Sequence, residues 1–194
     1  MRPLPFVWPY AVPFWIVYLW AFWPEFGIIG RAQRSGNSTD SKSLQVIVLG
    51  MWVAYAGAFP LAWVARFQFP LVLRIPALWV GVVVLASGSL LRRHCWRMLG
   101  ASFTGDVRAS SDQVVVTRGA YKLLRHPSYT GGILMNTGIG IALGSWASAL
   151  LLAVTSFAVY SYRIAVEERA LSAAIGEPYR EFMRTRKRLI PFVY

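Results

Sequence analysis

A chain of 194 residues that is 56% hydrophobic, 15% aromatic and only 14% charged carries more apolar surface than one small soluble domain buries. Its net charge of +12 at pH 7 needs no nucleic-acid partner, because attraction of basic groups to anionic lipid accounts for it. A single cysteine, Cys95, excludes an internal disulfide and a thiolate metal cluster, and two histidines without an HxxxH pair argue against a histidine-built metal site.

A membrane span needs about 18 or more nearly uncharged residues to cross roughly 30 Å of hydrocarbon. The first such run is FVWPYAVPFWIVYLWAFW, Phe6 to Trp23. One preceding basic residue, internal Pro9 and Pro13 and the lack of a small-residue cleavage site make it a span rather than a signal peptide. The two prolines are expected to kink or start it. The second span is LQVIVLGMWVAYAGAFPLAWVA, Leu44 to Ala65, and the third runs from Phe69 to Leu91 past Arg74 and Pro76. A polar segment from Gly100 to Thr130 follows. Its start, GASFTGDVRASSDQ, reads as loop; VVVTRGAY is a short extended run or a single turn; AYKLLRHP reads as a short helix that Pro127 ends or bends. Apolar character resumes at Gly131 and lasts to Tyr162, broken at Gly144-Ser145-Trp146, which predicts two helices joined by a tight turn. The last helix has no stop signal before Gly176, so its final turns should protrude from the membrane.

The expected fold is therefore an all-α integral membrane protein of about five transmembrane helices. It forms one membrane domain over 1–194, with N-terminal spans in 1–98 and a functional half in 99–194. Arg2, Arg66 and Arg74 fall on one side of this arrangement and the other 17 of the 20 basic residues on the opposite side. Lys and Arg concentrate in short cytoplasmic loops, so the N-terminus is expected outside an inner or cell membrane and the C-terminus in the cytoplasm.

Two constellations at the cytoplasmic face carry the chemistry. In RHPSY, Arg125 to Tyr129, Pro127 removes a backbone donor and biases His126 towards an extended conformation, so the chain turns and leaves backbone groups for a partner. Gly131 and Gly132 allow close approach of a helix or ligand. Arg125 and His126 either snorkel to lipid headgroups or face a ligand. In the last helix Arg163 and Glu167 share a face four residues apart, either as a surface ion pair or as part of a site, while Glu168 reads as solvated. Carboxylates number only eight in the chain, so an adjacent pair at this boundary stands out.

RHPSYTGG, a helical hairpin and RIAVEERALSAAIGEPYREFMRTRKRLIPF, taken in that order, resemble the isoprenylcysteine carboxyl methyltransferase family of integral membrane methyltransferases. The likeness covers the C-terminal half, from Leu99-Gly100 onward. It implies S-adenosylmethionine as cofactor, in a cytoplasmic pocket formed by the polar loop, the RHP turn and the end of the hairpin. Gln113-Val114-Val115-Val116 takes the place of the family's HxLV segment, followed by Gly119 and Tyr121, and by resemblance surrounds the adenosine. His126, Pro127, Ser128 and Tyr129 match cofactor-contacting residues, Glu167 the acceptor for the cofactor's amino group, and Arg163 an arginine on the substrate side. Gln113 departs from the family's histidine, though glutamine both donates and accepts.

The chemistry of the cofactor agrees. Its amino-acid end is zwitterionic, so Glu167 suits the ammonium, and Arg125, His126 or free backbone N–H groups suit the carboxylate. Methyl transfer needs alignment rather than a metal. The implied partners are the lipid bilayer and an amphiphilic methyl acceptor. An isoprenylcysteine carboxylate, a phospholipid amine and a small thiol all remain open as acceptor, and an NADPH-dependent sterol-type reductase is the competing activity.

Overall fold

The computed structural model describes residues 1–34, 41–100 and 115–191. Six α-helices follow one another: α1 Ala11–Arg34, α2 Ser41–Leu61, α3 Leu71–Leu99, α4 Pro127–Ala142, α5 Trp146–Ile175 and α6 Glu177–Thr185. Among the described residues there is no strand, only isolated bridges pairing Gln68 with Ser145 and Leu124 with Lys187. The all-α expectation holds. Three segments, Ser43–Leu61, Leu71–Leu99 and Trp146–Ile175, are long and apolar enough to cross a membrane. Trp23, Trp52, Val72 and Val83 project their apolar side chains outward, as lipid-facing residues do.

The first helix departs from the sequence expectation at its C-terminal end, which the apolar run had placed at Trp23. The α1 helix begins beyond Pro9, takes Pro13 into its first turn and continues through Pro24 to Arg34, eleven residues past Trp23. The turn between the hairpin helices falls where expected: Gly144 has φ 75°, which favours glycine, and Ser145 caps α5 by accepting from the Ser148 amide at 3.2 Å. The α5 helix ends at Ile175, and Gly176 follows with φ 77°.

Close backbone packing of α3 on α4 sets the frame. Gly81 and Gly88 face Gly138 and Gly131, and the spacing of seven keeps each pair on one helix face. A Cβ on Gly88 would sit 2.5 Å from the Gly131 carbonyl oxygen, and one on Gly81 would sit 2.3 Å from the Ala142 nitrogen. Small residues of this kind let helices approach where lipid removes the hydrophobic drive to associate. Leu78, Leu85, Met135, Ile139 and Leu152 fill the core around this seam. The α1 helix lies on α3, where Ser89 Oγ donates to the Ala21 carbonyl at 3.2 Å. Trp15 and Phe22 of α1 reach Phe59 and Tyr55 of α2 with ring centroids 6.5 Å apart in each pair.

The two ends of the bundle differ. At one, Arg74 bonds the Arg2 carbonyl and the Phe69 amide donates to the Gly144 carbonyl at 2.8 Å, gathering the N-terminal residues, the α2–α3 connection and the hairpin turn. The other end collects the last turns of α3 and α5, the first turn of α4, and α6.

Candidate functional site

At that second end the chain runs from a 3-10 turn, Gly119–Lys122, into Arg125 and His126 and then into α4. Of the short helix expected over AYKLLRHP, only the 3-10 turn through Ala120, Tyr121 and Lys122 forms. Pro127 does not end a helix but opens one, standing at the first helical position, where its missing N–H has no intrahelical partner to lose. His126 caps α4 with φ −128° and ψ 55°.

Two backbone donors at this turn are taken by the chain itself. Arg125 N donates to the Lys187 carbonyl at 2.8 Å and His126 N to the Arg188 carbonyl at 3.1 Å, while Thr130 Oγ1 donates to the Leu189 carbonyl at 2.8 Å. The Arg125 and His126 amides are thus not among the backbone donors expected to be left for a ligand. The C-terminal segment after α6 is a strap laid along the RHP turn, and buried Leu189 fastens it.

The two adjacent glutamates of α5 have separate roles because consecutive helical residues point about 100° apart. Glu168, expected in solvent, is 6% exposed. Its Oε1 lies 3.1 Å from Arg125 Nη1 and 3.2 Å from His126 Nε2, and its Oε2 accepts from Arg188 Nη2 at 2.9 Å. A buried carboxylate is tolerable when cations and hydrogen bonds surround it, and here they do. Glu167 is the more open of the pair, its side chain 28% exposed. Its Oε2 accepts from the Tyr129 hydroxyl at 2.8 Å and lies 3.9 Å from His126 Nδ1.

An aromatic wall backs these groups. The His126 and Tyr129 rings stack at 5.8 Å, and Tyr129 stacks on Tyr160 at 5.0 Å. Gly132 makes room for that wall, since a Cβ there would fall 2.6 Å from the Tyr160 hydroxyl. Arg163, one turn before Glu167, is 3% exposed and bonds Ser43 Oγ of α2, so it is a buried interhelical group and not half of a surface pair.

Of the residues singled out in the sequence, Arg125, His126, Pro127, Ser128, Tyr129, Arg163 and Glu167 come together at this end. Tyr121 is buried in the preceding turn, and Val115 and Val116 lead into it half-buried. Gln113 and Val114 lie outside the described residues. Burial raises the Tyr121 phenol above its ordinary pKa, with Cys95 and Glu167 adding to the effect. Burial likewise raises that of Tyr179 on α6, with Glu167 and Glu168 nearby. Among the described residues no group of three His, Cys, Asp or Glu is placed to hold a metal ion.

Several members were not foreseen. Arg188 and Glu168 build the strap, and Arg92 of α3 donates from Nη1 to the Ser128 carbonyl at 3.0 Å while Glu25 of α1 holds its other nitrogens. The scarcity of carboxylates was the available signal for Glu25 and Glu168: a glutamate in so apolar a chain needs a partner.

Comparison with known proteins fits this geometry. The profile of the phospholipid methyltransferase family matches residues 76–177, more than half of the chain. The chain belongs to that family. Within this phospholipid methyltransferase family its likeness to the isoprenylcysteine enzymes, drawn from RHPSY and the EE helix, is borne out. Protein-S-isoprenylcysteine O-methyltransferase B of Arabidopsis thaliana is 31% identical over 115 residues, 58% of this chain and 58% of that protein. The Tribolium castaneum protein-S-isoprenylcysteine O-methyltransferase is 30% identical over 178 residues, 87% of this chain and 61% of the relative. The chain thus spans less than two thirds of the length of these curated relatives. The solved structure of a eukaryotic intramembrane Ras methyltransferase, isoprenylcysteine carboxyl methyltransferase, superposes with a TM-score of 0.67 at 26% identity, covering 98% of this chain and 70% of that one.

Proposed function

We propose that this family member is a membrane methyltransferase that uses S-adenosylmethionine and transfers methyl to the polar end of an amphiphile, an isoprenylcysteine carboxylate being the acceptor its relatives suggest. The observation that carries the reading is the pairing of an open carboxylate with an unsatisfied donor. Glu167 faces partly outward, and Arg125 Nε is buried without a hydrogen-bond partner among the described residues. A zwitterionic amino-acid group requires both kinds of contact, so the residues fit the cofactor.

In this reading Glu167 accepts from the cofactor's ammonium, and Arg125 Nε donates to its carboxylate. Glu168 holds Arg125 and His126 in place through the contacts at 3.1 and 3.2 Å, so both approach the cofactor already oriented. Pro127 and Ser128 fix the turn, and Tyr129 presents its ring and keeps its hydroxyl on Glu167. Tyr121 with Gln113, Val114, Val115 and Val116 encloses the adenosine. The cofactor, when bound, supplies a methyl already activated by the sulfonium. Arg163, buried towards α2, receives the acceptor's polar end and aligns it, and alignment is most of what such a transfer needs from the protein.

The same reading gives the chain five spans, α1 to α5, with the N-terminus outside, the site and C-terminus in the cytoplasm, and an acceptor entering from the bilayer. The N-terminal spans in 1–98 select the acceptor and 99–194 carry the chemistry. Transfer of labelled methyl from S-adenosylmethionine, measured in vesicles against a farnesylcysteine analogue, phosphatidylethanolamine and a small thiol, tests it. Labelling of the farnesylcysteine carboxylate supports the full proposal; labelling of another acceptor alone corrects the substrate; none from any acceptor, with folded protein, contradicts the activity.

A further inference from the structure

A buried ion pair far from RHPSY in sequence reaches its backbone. Arg92, near the end of α3, places Nε 2.6 Å from Glu25 Oε1 and Nη2 2.7 Å from Glu25 Oε2, a two-pronged pair with α1. The guanidinium is 9% and the carboxylate 16% exposed. The remaining Nη1 donates to the Ser128 carbonyl at 3.0 Å, in the first turn of α4. Arg92 is also wedged against the next turn, since a Cβ on Gly131 would fall 2.7 Å from Arg92 Cγ. Its guanidinium carbon lies 5.2 Å from the Trp96 ring centroid, so stem and head are both fixed.

An apolar replacement of equal volume would commonly match or exceed the stability of such a pair, because desolvating two charges is costly. What the pair adds is direction. A guanidinium held by a bidentate carboxylate has one orientation left for its free nitrogen, and here that nitrogen meets the turn. We propose that Arg92 is a positioning residue for the cofactor turn and that Glu25 positions Arg92, so that α1 sets the geometry of RHPSY. The inference rests on the methyltransferase reading and assigns this chain's first helix a part in it.

The test uses the full chain in detergent. Glu25→Leu/Arg92→Met removes the pair without stranding a charge, and Ser89→Ala, which breaks a neighbouring α1–α3 bond without touching the turn, serves as the control. Two readouts are taken: S-adenosylmethionine affinity, and amide hydrogen exchange at residues 128–132 without ligand. We expect the double variant to keep a near wild-type thermal midpoint, to weaken cofactor affinity by about tenfold or more and to speed exchange across the turn. Ser89→Ala should change neither, whereas a merely structural interface predicts that both variants shift alike. Wild-type affinity and wild-type exchange in a folded double variant would overturn the proposal. If the wild-type chain binds no S-adenosylmethionine, the methyltransferase reading fails separately, and the exchange readout still decides whether the pair holds the turn.

Discussion

Glu168 and Arg188, twenty residues apart, form a fork in which Nε and Nη2 of the arginine donate to one carboxylate oxygen at 3.1 and 2.9 Å. The same carboxylate meets Arg125 and His126 through its other oxygen, so one buried group joins the end of α5, the RHP turn and the C-terminal strap. Glu168→Ala leaves the Arg125 and Arg188 guanidinium groups facing each other without their carboxylate. We expect a loss of about 3 kcal/mol, or roughly 6–12 °C in thermal midpoint, together with loss of cofactor binding. Arg188→Ala should give a smaller loss, since Arg188 is the most exposed of the partners. Unchanged melting of Glu168→Ala would contradict the hub.

On the proposed function, Arg163 should separate binding from turnover. Its buried place against Ser43 of α2 predicts that Arg163→Ala lowers kcat by about a hundredfold while cofactor affinity stays within roughly threefold. Arg163→Lys keeps the charge but loses the planar fork and should recover only part of the rate. Equal losses in kcat and cofactor affinity would place Arg163 on the cofactor instead.

Alkaline pH probes the buried phenols outside the spans. Folding raises the Tyr179 and Tyr121 pKa values above the ordinary value of about 10. Above that pH the unfolded chain releases these protons while the folded chain keeps them, so stability falls as pH rises. Each phenol contributes up to about 1.4 kcal/mol per pH unit there, and Tyr179→Phe should flatten the decline by that amount. Thermal midpoints between pH 9 and 11 check it; an unchanged slope in the variant would show that Tyr179 titrates as freely in the folded chain.

The glycine seam gives a steric prediction. Gly88→Ala forces a methyl to 2.5 Å from the Gly131 carbonyl and must push α3 from α4, at a cost of about 1–3 kcal/mol. Gly27→Ala, whose Cβ meets nothing within 4 Å, should be neutral or slightly stabilising. Melting the two variants side by side tests whether packing and not helix propensity governs.

What the sequence made legible was local. Hydrophobic runs announced α2, α3 and the hairpin, Gly144-Ser145 announced its turn, and Gly176 the end of α5, because each depends on a few neighbouring residues. The end of the apolar run at Trp23 and Pro127 both misplaced a boundary: α1 continues past the first, and the second begins a helix instead of ending one. Adjacent Glu167 and Glu168 look alike in sequence, and only the angle between them on α5 sends one to the cations and leaves the other open. The strap at 187–189 and the Glu25–Arg92 pair could not be read, since partners 62 and 67 residues apart leave no periodic trace.

On the proposed function, Glu167 anchors S-adenosylmethionine at the RHP turn. Calorimetric titration of the detergent-purified chain with S-adenosylmethionine and with NADPH, repeated on Glu167→Ala, measures it directly. Saturable binding of S-adenosylmethionine alone is expected, weakened beyond detection in a folded Glu167→Ala variant. Normal affinity in that variant would contradict the assignment of Glu167, and binding of NADPH alone would contradict the methyltransferase itself.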